Sequence, residues 1–434
     1  TLEMAAIAAN DSNILVERLD LSRDDAKIIT RKRITSLWGG YGHVERLTLS
    51  YKFPFDNRHL SVVVKLVKPP KSNDGNVSHQ RKLKSYRVES NFYRDDRLAK
   101  QFIIQQEGKE SSPLNPQAVP TIPFPIHIEG GEKEAYKFYF SDSEIVFPRS
   151  VDSLNETDAR AVLKWMAMFH SCFWEKVEGE VADLVWEEGS YWHLKTRWDE
   201  FHTIGQKFAR LKGAAKAIDD IIFKSKRGRT MVHGDCKAAN LLLTKKGVEP
   251  VAASFHDFQY VGSSWGSRDL SKLICSSFSP RLLRPKKLNE LLKFYHLELL
   301  GKLDKCEEDF PWNVFMDQFL ICVADYTRHM AGWGFWGNTS WACELTDQFL
   351  SKLDGGKVMT EEQYNRAIFK EYAHLVTPVL SEEDIRKAKC VSRCDSAVFG
   401  LRRGMGMIDC EGGFSPESFV IHLIGADSNE AKSP

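Results

Sequence analysis

The sequence has no apolar run approaching the length of a membrane-spanning helix, which leaves no candidate for one. It has almost no net charge. Sixty Lys and Arg stand against 59 Asp and Glu, a formal balance of +1, so no bulk electrostatic pull toward nucleic acid or an anionic membrane is expected. Two basic clusters, Arg81 to Arg87 and Lys224 to Arg229, read as solvated faces or loops rather than binding patches. Nine cysteines are present, but no pairing of C-x-x-C motifs suggests zinc. Cys172, Cys275 and Cys322 sit in apolar contexts typical of buried thiols; Cys390, Cys394 and Cys410 read as unrelated thiols, with a redox or metal cluster as the alternative. This usage fits a reducing compartment, the cytoplasm or another intracellular one. No secretory signal is visible, although the TLEMAAIAAN start leaves room for a removed organelle-targeting peptide.

What is present is ordinary in bulk and specific in one place. Apolar residues make up 42% and charged residues 27% of 434, enough for a globular protein of two lobes or more. The specific place is MVHGDCKAANLLL followed by FHDFQYVGSSWGSRDL, residues 231 to 270. Asp235 is followed at the fifth position by Asn240, and then by Asp257. A carboxylate can accept the proton of an attacking hydroxyl; an amide oxygen and a second carboxylate can hold Mg²⁺ against a triphosphate. Leu241 to Leu243 and Val251 to Phe255 read as short buried strands, which would put the reactive groups on loops at strand ends.

This joint pattern resembles the small-molecule branch of the kinase superfamily: aminoglycoside phosphotransferases, choline and ethanolamine kinases, and ecdysteroid-kinase-like proteins. Protein kinases carry H-R-D and D-F-G; here Gly234 replaces the Arg and Gln259 the Gly, with Gly266 and Asp269-Leu270 downstream. The resemblance implies an α+β bilobal fold, with a small antiparallel-sheet N-lobe and a larger, mainly helical C-lobe. It implies ATP and Mg²⁺ as cofactors and a small-molecule alcohol as acceptor. Asp235 would be the catalytic base, Asn240 and Asp257 the metal ligands, and His233 and Asp269 supports of the loop. His256 departs from the pattern, since an aliphatic residue is usual before the metal Asp.

Upstream, residues 1 to 30 are polar and expected to be helical in part, with Asp24 to Lys27 opening a short helix. From Thr35 the run SLWGGYGHVERLTLSY reads as strand, glycine turn, strand. Gly40 and Gly42 would let backbone N–H groups approach phosphates, or would simply form a hairpin turn. HLSVVVKLV, residues 59 to 67, is a β-branched strand carrying Lys65 on the face opposite Val64 and Leu66. By the resemblance, Lys65 contacts the nucleotide phosphates and is held by Glu89 on a helix over 80 to 95; an exposed helical Glu is the alternative. Residues 105 to 135 read as loop. Tyr136, Phe138 and Phe140 alternate in a strand that meets Ser141-Asp142, where the inter-lobe hinge would contact adenine and where Phe140 and Asp142 become nucleotide-site candidates.

A helix capped by Asn155 follows, then a helical stretch after Gly189, then helices over roughly 284–302, 312–331, 341–353 and 360–375. His170 reads as a packed core histidine. Late C-lobe elements build the acceptor pocket in the resembled kinases, so Asp325, Tyr326, Arg328, Trp333, Trp336 and Trp341 are candidates to line it. Trp faces with a carboxylate would suit a cationic acceptor; core packing is the alternative for each Trp. The expected division is an extension over 1–34, an N-lobe over 35–145, a C-lobe over 146–385 and a C-terminal extension over 386–434 ending in a mobile polar tail. The stretch between Asp257 and Asp269 is too short for a protein-kinase activation loop, and no Ala-Pro-Glu follows. The competing functions are a catalytically inactive scaffold with this fold and, disfavoured by that short stretch, a protein kinase.

Overall fold

A computed structural model describes residues 2–22, 26–53, 56–70, 77–107, 121–131 and 135–376. Helix α1 (Leu2–Arg18) leads into strands β1 (Lys27–Ser36), β2 (Gly42–Phe53) and β3 (Asp56–Val67). Helices α2 (Val77–Arg94) and α3 (Gln101–Glu107) follow, then β4 (Pro125–Gly130) and β5 (Tyr136–Ser141). The five strands form one antiparallel sheet in the order β1-β2-β3-β5-β4. Alternation explains its two faces. Leu47, Leu49, Val62 and Val64 point to one side, where Leu15 and Val16 of α1 and Leu19 just after it cover them. Val44, Val63 and Lys65 point to the other side, into a cleft. The Asp11 carboxylate fixes α1 to the sheet through Arg31, Lys137 and the Tyr139 hydroxyl.

The second lobe is mainly helical. It contains α4 (Glu156–Cys172), α5 (Glu180–Leu184), α6 (Trp198–His202) and α7 (Ala209–Lys224), then four short strands: β6 (Arg229–Val232), β7 (Leu241–Leu243), β8 (Ala253–Phe255) and β9 (Gly262–Trp265). These pair as β6 with β9 and β7 with β8. Helices α8 (Ser267–Ser277), α9 (Pro285–Leu303), α10 (Trp312–Trp333), α11 (Thr339–Asp354) and α12 (Glu361–Glu371) complete it. Asn155 caps α4 by accepting the Asp158 N–H, as its position predicts. The unit ends at Tyr372, and α13 (Ala373–Val376) lies outside it. Cys172, Cys236, Cys275 and Cys322 are buried free thiols, while Cys306 is exposed.

The α+β, two-lobed architecture is the one the sequence implies, with three local differences. Lys27 begins β1 rather than continuing a helix, because Ile28, Ile29 and Thr30 are β-branched and Ile28 and Thr30 pair with β2 across a bulge at Ile29; Asp24 and Asp25 lie outside the described residues. Strand β4 falls within the stretch read as loop, and its proline takes the first strand position, where no ladder N–H is needed. The helical stretch expected after Gly189 starts only at Leu194: Tyr191 N–H donates instead to the Gly234 carbonyl at 3.3 Å, and the preceding backbone pairs with the β9 region, Trp186 N–H to Val261 O at 2.9 Å and Gly189 N–H to Ser263 O at 3.1 Å. Cys390, Cys394, Cys410 and the 386–434 extension lie outside the described residues.

Candidate functional site

Strand β6 delivers the chain into the loop His233-Gly234-Asp235, and two features hold that loop. Gly234 has φ +80°, and a Cβ there would lie 2.1 Å from the Tyr260 carbonyl oxygen, so only glycine fits. The Asp269 carboxylate, in the first turn of α8, accepts the main-chain N–H groups of His233 (2.6 Å) and Gly234 (2.9 Å). His170 supports Asp269 from α4 at 3.2 Å, with its other ring nitrogen 2.6 Å from the Tyr295 hydroxyl. Burial disfavours the Asp269 charge, but the His170 hydrogen bond, the nearby His170 and His233 rings and the Gly234 N–H together outweigh it and hold the carboxyl below its usual range. The His233 ring accepts the Asp235 N–H at Nδ1 (3.3 Å) and donates from Nε2 to the His256 carbonyl (3.0 Å), a consistent neutral tautomer.

The Asp235 carboxylate is buried and asymmetric. Its Oδ2 accepts from Lys237 Nζ at 2.6 Å and Asn240 Nδ2 at 3.1 Å. Its Oδ1 has no hydrogen-bond partner among the described residues. Asn240 Nδ2 also donates to the Asp235 main-chain oxygen at 3.0 Å, which leaves the amide oxygen as the end that can take a cation.

Asp257 follows β8 with φ +69°, a backbone state that non-glycine residues adopt at a cost. Lys65 Nζ bridges Asp257 Oδ1 (2.8 Å) and Glu89 Oε2 (2.7 Å), joining β3, α2 and the loop after β8. Burial disfavours the Lys65 ammonium, yet the two carboxylates outweigh it and raise its pKa above the ordinary lysine value. Burial likewise disfavours the Asp257 charge, but Lys65 holds that carboxyl down to about 2. Burial pushes the Glu89 carboxyl up, against Lys65 and the Phe258 N–H, which stabilise the anion. Phe258 stacks on Phe92 of α2 with ring centroids 4.5 Å apart. Burial drives His256 down to about 4, so it is neutral beside Asp257.

Between the sheet and these loops lies a cavity of about 390 Å³, lined by Val44, Val63, Lys65, Glu89, Phe140, Asp142, Asn240, Leu242 and Asp257. Asp142 is also bound by Arg46 and Ser61, each at 2.6 Å. The glycine turn contributes Leu37 and Trp38 to this wall; Gly40 and Gly42 do not line it. At Gly42 a Cβ would lie 1.9 Å from the Leu66 carbonyl oxygen, so strand pairing alone requires glycine there.

The six acceptor-pocket candidates divide. Asp325 and Arg328 pair with each other at 2.7 Å inside the lobe, and Asp325 also binds Arg268 at 3.0 Å and Trp192 Nε1 at 3.1 Å. Tyr326 and Trp336 come together near Asp235. Trp333 is half exposed under the Arg197 guanidinium, and Trp341 packs toward Phe319, apart from the others. The spacing that points to Asp235 does not point to Lys237 or Lys272. Lys272 had one signal: a lysine inside the apolar helical run DLSKLIC must have partners if buried. Lys272 Nζ donates to the hydroxyls of Tyr191 (3.0 Å) and Tyr326 (2.9 Å) and stands 3.9 Å from Asp235 Oδ1.

Residues 188–308 match the Ecdysteroid kinase-like family. Over this segment the chain is similar to that family. The matched segment begins before α6 and ends after α9, and it contains Asp235, Asn240, Asp257 and Asp269. Among curated proteins none matches the sequence. Solved structures similar to this chain include a choline kinase from Cryptosporidium parvum, at 12% identity and TM-score 0.44 over 82% of this chain and 96% of that one. A microcompartment-associated aminopropanol kinase has 11% identity and TM-score 0.43, covering 83% and 99%. An ethanolamine kinase from Plasmodium vivax has 12% identity and TM-score 0.39, covering 76% and 84%.

Proposed function

We propose that the protein transfers the γ-phosphoryl group of Mg·ATP to a hydroxyl of a small-molecule acceptor. The observation that carries this reading is the Asp235 carboxylate. One oxygen is fixed by Lys237 and Asn240, while the other is buried without a hydrogen-bond partner among the described residues. A buried, unpaired carboxylate oxygen is costly unless a ligand completes it. An acceptor hydroxyl would donate to Oδ1. As its oxygen forms the new bond to phosphorus, the proton passes to Asp235 and the bond from phosphorus to the leaving ADP oxygen breaks.

The other residues position and neutralise. Lys65, fixed by Glu89, offers a permanent positive charge to the nucleotide phosphates. Asn240 and Asp257 offer an amide oxygen and an ionised carboxylate, the hard donors Mg²⁺ prefers, on the wall of one cavity. Among the described residues no cluster of three or more His, Cys, Asp or Glu could hold a metal by itself. That suits an ion whose remaining ligands are phosphates and water. When bound, the ion would neutralise charge on the transferring phosphoryl group. Lys237 Nζ, 2.6 Å from Asp235 and with 35% of its side chain exposed, can reach the same group. The intact set of Asp235, Asn240, Asp257, Lys65 and Glu89 favours an enzyme over an inactive scaffold.

Asp235→Asn is expected to lower kcat by about 100- to 10,000-fold, the usual range for a general base, while Mg·ATP still binds. Binding is read as a thermal shift, about 2.7 kcal/mol of added stability at a hundred times Kd. Asp257→Ala is expected to abolish the magnesium dependence of that shift. Unchanged turnover in Asp235→Asn, or no shift in the wild type at millimolar Mg·ATP, would refute the reading.

A further inference from the structure

Against the segment 188–194, which carries Tyr191, lies a buried cluster of charged side chains. Arg268 of α8 binds Glu188 at 3.3 Å and Asp325 of α10 at 3.0 Å, and Asp325 also binds Arg328 at 2.7 Å. Asp219 of α7 completes the group, 3.9 Å from Arg268. The cluster therefore has three carboxyl groups to two guanidinium groups. Asp219 is the carboxyl left over. Its ion-pair distance is the longest of these, and its hydrogen bond among the described residues is from the Leu194 N–H, 3.1 Å from Oδ1. A desolvated carboxylate with no partner of its own is costly, and a proton removes that cost.

We propose that this cluster is a proton-held latch: one proton on Asp219 keeps the segment 188–194, and with it Tyr191, seated beside Asp235, and loss of that proton as the pH rises loosens the segment.

Three observations support it. First, the cluster is what holds the segment. Asp219 accepts the Leu194 N–H, Asp325 accepts the Trp192 indole N–H at 3.1 Å, and Arg328 and Arg268 donate to the Trp192 and Gly189 carbonyls at 2.6 and 3.4 Å. Between these anchors stands Tyr191, whose hydroxyl accepts from Lys272 at 3.0 Å, itself 3.9 Å from Asp235. Second, the segment is strained and needs an outside hold. Ser190 has φ +133°, and its buried hydroxyl has no partner among the described residues. Third, nothing nearby compensates a further negative charge. Glu188 Oε1 is already buried without a partner, and burial and Arg268 keep His193, 3.6 Å from Glu188, neutral. Arg229 of β6 donates to the carbonyls of Ile222, Phe223, Ser225 and Ser263, Lys195 pairs outward with Glu187, and Asp220 of α7 pairs with Lys224. Burial keeps the Cys322 thiol protonated. Burial also raises the Asp219 carboxyl to about 7, with Glu188 and Asp325 adding to the rise and Arg268 and Arg328 opposing it. With 11% of its side chain exposed, Asp219 can exchange its proton with solvent.

An unfolded Asp titrates at about 3.9. From there up to about 7 the folded chain holds a proton that the unfolded chain has lost, so stability falls as the pH rises and levels off above. Urea unfolding of the full-length protein from about pH 5 to about pH 8.5 reads this directly. Asp219→Asn mimics the protonated acid at every pH. Relative to it, the wild-type unfolding constant is expected to rise about tenfold per pH unit up to about pH 7 and then stay level. Glu188→Gln, which makes the carboxyl and guanidinium counts equal, is expected to move the levelling-off to lower pH, and it keeps the test open should Asp219→Asn fold poorly. Hydrogen exchange read by mass spectrometry tests the latch itself. Corrected for the intrinsic rate, peptides covering 188–194 should lose about tenfold in protection from about pH 6 to about pH 8.5 in the wild type and keep it in Asp219→Asn. Stability curves for wild type and both variants that stay parallel across the range overturn the proposal. So does unchanged protection of 188–194 in the wild type. A slope that survives in Asp219→Asn and disappears in His193→Gln puts the proton on His193 and overturns the assignment to Asp219. Every readout is taken without nucleotide or acceptor, so the outcome stands apart from the phosphotransfer reading.

Discussion

Gly234 shows how narrow the choice of residue becomes at the site. Its positive φ and the Tyr260 carbonyl 2.1 Å from a would-be Cβ leave no room for a side chain. The arginine that protein kinases carry at this position is therefore excluded by backbone packing. Gly234→Ala must shift either this loop or the one carrying Tyr260. The expected cost is about 1–3 kcal/mol of stability, the usual range for a strained backbone position. A fall of at least tenfold in kcat with little change in nucleotide affinity should accompany it, because Asp235 is the next residue. Urea unfolding and steady-state kinetics check this; wild-type values in both would mean that the loop accommodates the methyl freely. At this scale the sequence was legible wherever chemistry requires one residue type at one spacing, as at Asp235, Asn240, Asp257 and Asp269. It was less legible where a residue's surroundings come from distant segments. Lys272 meets Tyr191 from before α7 and Tyr326 from α10, and nothing local to Lys272 announces either partner.

Helix α8 is the element on which the site depends, and its charged residues are all buried. Arg268, Asp269 and Lys272 all have almost no exposed side-chain area. Each faces a different structure. Arg268 binds Asp325 and Glu188, Asp269 holds the His233-Gly234 backbone, and Lys272 donates to the Tyr191 and Tyr326 hydroxyls. Removing one member of a buried ion pair leaves the other desolvated and unpaired, at a cost of about 3–5 kcal/mol. Arg268→Met is therefore expected to destabilise by about that amount, and the double change Arg268→Met/Asp325→Asn to recover part of it. Equilibrium unfolding of both variants decides; a loss below 1 kcal/mol in the single variant would mean that Arg328 alone neutralises Asp325. The helices were readable from apolar periodicity, and α9 to α12 fall within a few residues of their expected bounds. Strand β4 and residues 190–193 were not, because non-local bonds decide them rather than local pattern: β4 pairs with β5, and Tyr191 N–H donates to the Gly234 carbonyl.

For the whole molecule, one lysine and one helix do the joining. Lys65 links the sheet and α2 of the smaller lobe to Asp257 of the larger. Helix α1, which a sequence reading treats as an extension, covers the outer face of the sheet and is anchored there by Asp11, buried among Arg31, Lys137 and Tyr139. Without α1 the sheet would expose Leu47, Leu49, Val62 and Val64, an apolar face of the kind that promotes association.

The buried thiols give this architecture a chemical stopwatch. Cys172 lies in α4, Cys275 in α8 and Cys322 in α10, while Cys236 adjoins Asp235 itself. Burial raises the pKa of all four, so none is reactive until the chain around it opens. Under mild alkylation read by peptide mass spectrometry, exposed Cys306 should be modified at once. Cys172, Cys275 and Cys322 should follow together at the pace of global unfolding. Should Cys236 react ahead of those three, the interval would time the private opening of the Asp235 loop, and its lengthening with Mg·ATP would register the nucleotide without any acceptor being known. Labelling of all four as fast as Cys306 would contradict the packing described for this lobe.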